Sequence, residues 1–216
     1  VSDVAAPIKE TLAAAMVQLS FWKAGRLLVD PCCGSGTIPI EAAMIGRNIA
    51  PGLNRKFASQ EWDIIPPEIW KEERKAAFEA IDYDADIRIE ASDISGRAVE
   101  AALENAAEAG VDDCIEFKKM DMAKLTAEEE GGIVITNPPY GERIGEKKQI
   151  EAIYRAYSEF YRKNPTWSLF MVTTDKEVEN KIFGRPADRR RKLYNGRLEV
   201  CYYQFHGQKP GRKQEK

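Results

Sequence analysis

The feature that most constrains the fold is a repeated alternation of short apolar runs with helical stretches. Residues 26–30 (RLLVD), 87–93 (IRIEASD), 114–121 (CIEFKKMD), 132–137 (GIVITN) and 167–174 (WSLFMVTT) each have the length and content of a buried strand. Between them come helical segments. One is IPIEAAMIGR (38–47), and another is the alanine-rich 96–110, with Gly110 as its stop. A third, 149–163, has apolar residues at 150, 153, 154, 157, 160 and 161. Residues 191–205 carry Asn195-Gly196 between two extended runs, a hairpin signal. Alternation of this kind builds an α/β protein around a mostly parallel sheet with helices on both faces. The closing hairpin is expected to add an antiparallel edge strand.

In such sheets ligands sit beyond the C-terminal ends of the strands, near the point where strand order reverses. Four of the expected strands end in Asp30, Asp93, Asp121 and Asn137. One polar ending is ordinary; four at the expected ligand rim suggest a shared site.

Residues 48–86 break the alternation, because connections in compact domains are usually about 4–6 residues. They read as an insertion with an extra helix at 66–81, opened by Pro67. The insertion is expected to gather its own small cluster from Phe57, Trp62, Trp70 and Phe78, its tryptophans being local core rather than base-stacking platforms. A polar tail follows Gly207.

Composition removes several classes. The chain has 216 residues, room for one domain, with 44% hydrophobic and 31% charged residues, as a folded protein requires. The net charge of −3 excludes a uniformly basic coat but not a local basic face. Four cysteines include the adjacent pair Cys32 and Cys33, no CxxC occurs, and His206 is the single histidine. Metal-ligand spacing is absent, and reduced thiols of a cytoplasmic protein are expected rather than disulfides. No apolar stretch reaches the length of a membrane span. The first residues do not read as a secretory signal, and the missing initial methionine suggests a piece of a longer protein.

The loop after the first strand is Asp30-Pro-Cys-Cys-Gly34-Ser-Gly36-Thr. A phosphate loop would need Gly-Lys-Ser/Thr, and no lysine is present. A dinucleotide fingerprint would need glycine where Pro39 stands. The third reading, D-x-x-x-G-x-G, is the loop that holds the methionine part of S-adenosylmethionine; the plain alternative is a glycine-rich strand-to-helix turn with no ligand. The opening carboxylate suits a cationic ligand better than a pyrophosphate. Asp93 could accept the ribose hydroxyls, or it could cap the following helix. Asp121 could accept from an adenine amino group while the Met122 amide reaches a ring nitrogen, or it could be a solvated turn residue.

Asn137-Pro138-Pro139-Tyr140 answers a chemical difficulty. An exocyclic amine on a base is a poor nucleophile, because its lone pair is delocalised into the ring. Two acceptors for its N–H bonds would hold it and favour localisation of that pair. The Asn137 side-chain oxygen and the Pro138 carbonyl can supply them, on a backbone stiffened by two prolines. Tyr140 offers a face on which a flipped base can stack. A sulfonium methyl donor is already reactive, so no strong general base is needed.

Taken with APIKETLAAAM, GLNRKFASQEW and LYNGRLEVCYYQF, these motifs make most of the chain resemble a class I S-adenosylmethionine-dependent methyltransferase of the amino-methylating branch. Within it, the sequence is similar to the bacterial THUMP-containing family that methylates guanine N2 in 23S, large-subunit, ribosomal RNA. Members often carry the label of N6-adenine DNA methyltransferases, because NPPY is shared. The resemblance implies a Rossmann-like, doubly wound, seven-stranded sheet, mostly parallel with an antiparallel last strand. It implies a methyltransferase domain over residues 1–207, a tail over 208–216, and an N-terminal THUMP domain in the full-length protein that nothing here matches. Cofactor contacts are expected at Asp30, Cys32, Gly34, Ser35, Gly36, Asp93, Ile94, Asp121, Met122 and Asn137. Catalysis is expected at Asn137, Pro138, Pro139 and Tyr140.

The cofactor implied is S-adenosyl-L-methionine, with S-adenosyl-L-homocysteine as product and no metal. The expected partner is RNA, with DNA as the alternative and no membrane. Arg189, Arg190, Arg191 and Lys192 read either as phosphate contacts or as a solvated hairpin edge. N6-adenine methylation, protein glutamine methylation and a noncatalytic binding module remain alternatives; the intact NPPY stands against the last.

Overall fold

The computed structural model describes residues 8–140 and 146–209, with the side chains of 146 and 147 left out. In chain order the main elements are α1 (Glu10–Leu19), β1 (Leu28–Asp30), α2 (Thr37–Gly46), α3 (Pro67–Glu79), β2 (Ile89–Asp93), α4 (Gly96–Ala109) and β3 (Ile115–Lys119). They continue with β4 (Ile133–Thr136), α5 (Glu146–Lys163), β5 (Ser168–Thr173), α6 (Val178–Ile182), β6 (Arg189–Asn195) and β7 (Leu198–Phe205). The seven strands form one sheet in the order β3-β2-β1-β4-β5-β7-β6. Pairs from β3 through β5 are parallel, and β7 runs antiparallel to both β5 and β6. The sheet is therefore Rossmann-like and doubly wound, as expected.

One detail differs. The antiparallel strand is not at the edge: β7 inserts between β5 and β6, and β6 is the edge. A tight hairpin does not specify which of its two strands meets the sheet. Residues of β7 such as Val200, Tyr202, Tyr203 and Phe205 are buried, whereas no β6 side chain is buried and the strand exposes the charged Arg189, Arg190 and Lys192. The apolar strand takes the inner place, and the charged one protects the edge.

The two faces carry separate cores. On one, Leu28, Ile89, Ile133 and Ile135 pack with residues of α1, α2 and α4. On the other, Val29, Val134, Leu169 and Met171 pack with Ile150, Tyr154, Tyr157 and Phe160 of α5. The period-3.6 stripe expected for α5 therefore does face the sheet.

The insertion leaves the C-terminal end of α2 and returns to the start of β2, so it lies at the edge of the sheet opposite the strand ends. Its expected cluster is smaller than the sequence suggests. Phe57 stacks on Trp70, with ring centroids 5.7 Å apart. Trp62 and Phe78 are instead exposed, at 57% and 49%. The physical reason is that α3 has no second layer over it. None of its residues is buried, so it cannot enclose aromatics on both sides.

Candidate active site

Strand order reverses between β1 and β4: from β1 the chain proceeds to β2 on one side, and β4 lies on the other. The β1–β4 ladder pairs Leu28 with Ile133 and Val29 with Val134. Beyond it the two strands lead directly into the glycine loop and the NPPY segment. The sheet thus delivers both motifs to the C-terminal ends of two neighbouring strands.

The loop is shaped from below by carboxylates. Asp30 is 1% exposed, and its Oδ1 accepts from the Cys32 amide at 3.2 Å and the Thr136 hydroxyl at 2.9 Å. Burial pushes Asp30 up to about 7; the hydrogen bonds from Thr136 and Cys32 oppose that rise, and the charge of Asp93 adds to it. Asp93 Oδ2 accepts from the Gly34 amide at 3.1 Å, and Oδ1 from the Ser95 amide at 2.8 Å. The second lone pair on each oxygen remains for a ligand. Ser95, not Asp93, caps α4, its hydroxyl accepting from Ala98.

Two glycines have distinct reasons. Gly36 sits at φ +84°, and a Cβ there would lie 3.0 Å from the Ala102 Cβ, so close packing of α2 on α4 requires it. Gly34, at φ +54°, faces open space: a Cβ would meet nothing within 4 Å. Among the described residues no side chain caps the N-terminus of α2. An open glycine, uncapped helix amides and a half-buried carboxylate beside them suit a nucleoside-bearing ligand with a polar amino-acid end.

Other expected cofactor residues follow the C-terminal ends of β1, β2 and β3. Cys32 is half-buried, its thiol is pushed up to about 12 by burial, and its Sγ lies 3.5 Å from the Tyr157 hydroxyl oxygen. The thiol is therefore inert at neutral pH. The Ser35 carbonyl accepts from Asn105 at 2.9 Å. Ile94 is 58% exposed beside Asp93, and Met122 is buried. Asp121 is exposed, and its Oδ1 accepts from the Ala123 amide at 2.9 Å.

At the end of β4, the Tyr140 hydroxyl donates to Asn137 Oδ1 at 2.6 Å. Burial pushes the Tyr140 phenol up to about 12, with Tyr154 adding to the rise, so it stays a donor. Pro138 is buried, and Asn137, Pro139 and Tyr140 are half-buried. The Gly-Glu-Arg that completes the motif lies outside the described residues. Two participants were not anticipated: Thr136 and Tyr157, both 0% exposed. Thr136 stands one residue before the motif, and Tyr157 occupies a position read as apolar.

The basic segment is less available than its sequence suggests. Arg190 bonds to Glu179 at 2.5 Å, and Lys192 to Glu199 at 2.7 Å. Arg191 donates to Gln204 at 3.2 Å. Arg189 is exposed, without such a partner among the described residues. Arg212, Lys213 and Lys216 lie outside the described residues. A depression of about 450 Å³ between Ile87, Ile89, Asp113 and Ile115 lies at the opposite edge, away from all these groups.

The family profile described as "UPF0020: RMKL-like, methyltransferase domain" matches residues 1–204. The chain belongs to this family. A curated relative of this RMKL-like methyltransferase domain is YpsC of Bacillus subtilis (strain 168), whose given name proposes an RNA methyltransferase. The two are 48% identical over 209 residues, 96% of this chain and 54% of YpsC. Ribosomal RNA large subunit methyltransferase K/L of Shewanella baltica (strain OS185) is 39% identical over 93% of this chain and 29% of its own length. Among solved structures, SMU.472, a methyltransferase candidate in complex with SAH, superposes with a TM-score of 0.90 at 46% identity. It is covered over 55% of its length by 96% of this chain. The RMKL-like domain thus spans about half of YpsC and SMU.472, and less of the K/L protein. Among its described residues no helix is long and apolar enough to cross a membrane. Nor does any group of His, Cys, Asp and Glu among them have the arrangement of a metal site.

Proposed function

We propose that this domain transfers the methyl group of S-adenosyl-L-methionine to the exocyclic amine of a nucleobase, guanine N2 of 23S ribosomal RNA, releasing S-adenosyl-L-homocysteine. The observation that carries this reading is the placement of the glycine loop and the NPPY segment at the ends of paired strands, β1 and β4, where strand order reverses. A donor-holding loop and an amine-holding motif need to be neighbours, and their positions after two paired strands support this reading.

When bound, the cofactor supplies a sulfonium methyl reactive enough to need no general base. The protein's own groups do the rest. The loop from Asp30 to Gly36 holds the methionine end, and Asp93 takes the ribose hydroxyls. Ile94, Asp121 and Met122 surround the adenine. Asn137 Oδ1 and the Pro138 carbonyl accept from the target amine, Pro139 keeps that geometry stiff, and the Tyr140 ring stacks on the base. SAH in SMU.472 supports the cofactor, and the names of YpsC and the K/L protein support an RNA substrate. On this reading residues 1–207 are the catalytic domain of a longer cytoplasmic protein, with 208–216 as a tail. RNA capture falls to a further domain, and Arg189 to Lys192 add a modest phosphate contact.

The test is nucleoside mass spectrometry of ribosomal RNA from a strain lacking the full-length gene. Loss of one N2-methylguanosine from 23S RNA, restored by complementation, is expected. Loss of N6-methyladenosine in its place, from RNA or DNA, would transfer the assignment to adenine. Unchanged nucleosides would overturn the nucleic-acid reading.

A further inference from the structure

The donor loop and the acceptor motif hang from strands whose backbone ladder stops at Val29 and Val134. Beyond those residues no ladder pair joins β1 to β4, so strand pairing does not by itself set the gap between Gly34 and Asn137. Something else must. Methyl transfer is sensitive to that gap, since a displacement of about 1 Å can cost about a hundredfold in rate.

What spans it is a buried chain of hydroxyls. Tyr157 of α5 donates to the Thr136 hydroxyl at 3.1 Å, and Thr136 donates to Asp30 Oδ1 at 2.9 Å. The same Asp30 oxygen accepts from the Cys32 amide, the first turn of the loop. Tyr157 also reaches Cys32 Sγ at 3.5 Å. Tyr157, Thr136 and Asp30 are 0%, 0% and 1% exposed. Proton counting gives the chain one direction while Asp30 is ionised. Each hydroxyl has a single proton to donate, and the carboxylate is the terminal acceptor. Thr136 is bonded through the backbone to Asn137, and Asp30 begins the loop. The chain therefore ties α5, the acceptor motif and the donor loop into one unit, with no exposed link.

We propose that Thr136 and Tyr157 are positioning residues that set the separation and angle between the donor loop and the Asn137 acceptor, acting through Asp30 rather than by touching either substrate. This inference rests on the proposed methyl transfer and deepens it. Thr136 needs a hydroxyl in a space of fixed shape, which only serine could also supply. Tyr157 needs a phenol where its helical stripe asks merely for an apolar ring. In a purely packed core Val and Phe would serve equally.

The test uses the full-length protein carrying Thr136→Val, Thr136→Ser or Tyr157→Phe. Cofactor affinity is read by calorimetry, single-turnover methylation on RNA, melting temperature by calorimetry, and loop order by amide exchange at Cys32 to Gly36. Thr136→Val is expected to slow the single-turnover rate by about ten- to a hundredfold while affinity for S-adenosylmethionine changes far less. Exchange in the loop should rise. Thr136→Ser should recover most of the rate, and Tyr157→Phe should fall between. A Thr136→Val rate within about twofold of wild type overturns the proposal. So does a rate loss matched by equal losses in affinity and melting temperature and shared by Thr136→Ser, because that marks a structural role. If the wild-type protein methylates no nucleic acid, the proposed function fails by itself. Loop exchange then decides: unchanged exchange in Thr136→Val and Tyr157→Phe overturns the positioning role, and increased exchange retains it.

Discussion

The Tyr140 hydroxyl donates a 2.6 Å hydrogen bond to Asn137 Oδ1, the oxygen assigned to the target amine. A carbonyl oxygen has two lone pairs, so the bond occupies one and orients the other. In the proposed reaction Tyr140 would act twice: its ring would stack on the base, and its hydroxyl would fix the amide that accepts from the amine. Tyr140→Phe keeps the ring and removes the hydroxyl. A lost hydrogen bond of about 1 kcal/mol predicts a single-turnover rate about five- to tenfold lower, with cofactor affinity unchanged. Tyr140→Ala loses stacking as well, about 1–3 kcal/mol more, and should be far slower. Equal rates in Tyr140→Phe and wild type would remove the orienting role.

Asp93 joins two segments through separate oxygens, accepting from Gly34 and from Ser95. Asp93→Ala removes both anchors together with the proposed ribose acceptor. Hydrogen bonds to a charged group are worth about 1.5–3 kcal/mol, which predicts S-adenosylmethionine binding weaker by about 10- to 100-fold. Calorimetric titration measures this directly. Unchanged affinity would place Asp93 outside the cofactor site.

Asp30 makes the stability of the protein sensitive to pH. Its folded value of about 7 stands above the ordinary 3.8 of the unfolded chain. Between those values the fold keeps a proton that the unfolded chain has released. Stability therefore falls as pH rises from about 4 to about 7, and Asp30→Asn should flatten that limb. A cationic ligand favours the ionised carboxylate. Cofactor affinity should thus rise with pH toward 7, by at most about tenfold per unit, and level off above it. The groups around Asp30 are Asp93, Cys32, Thr136 and Tyr157, and both thiol and phenol are pushed upward by burial. The Cys32 thiol and the Tyr157 phenol stay neutral across this range. Thermal unfolding at several pH values, in wild type and Asp30→Asn, checks the first limb. Superimposable profiles would contradict it.

The parts of this site legible in the sequence were those written within a few consecutive residues. Glycines at 34 and 36, the polar strand ends and NPPY all declare their geometry locally, and the alternation of elements sets the sheet. What escaped was made by topology. Thr136 and Asp30 are 106 residues apart, and Thr136 and Tyr157 are 21 apart, so no local pattern pairs them. Tyr157 was hidden by its own stripe, since a tyrosine at a core position reads as apolar until its hydroxyl finds a partner. Edge order failed for a similar reason: Asn195-Gly196 specifies a turn but not which arm of the hairpin meets β5. In the insertion, aromatic content suggested a cluster, but burial needs a second layer that α3 lacks.

The basic edge separates charges that sequence alone counts together. Glu179 is 7% exposed and is held by Arg190 and by the Ala187 amide. Arg190→Ala strands a buried carboxylate, so its main effect should be a lower melting temperature. Any loss of RNA binding should then be secondary. Arg189 has no such duty among the described residues. Arg189→Ala should leave the melting temperature alone, weaken RNA binding by a similar factor across sequences, and reduce the salt dependence by about one phosphate contact. Lys192→Ala should resemble neither, because Glu199 is exposed and its release costs little. Binding isotherms at several salt concentrations, alongside melting curves for the three variants, distinguish the cases. If Arg189→Ala leaves both affinity and salt slope unchanged, β6 is a protected sheet edge and not an RNA contact.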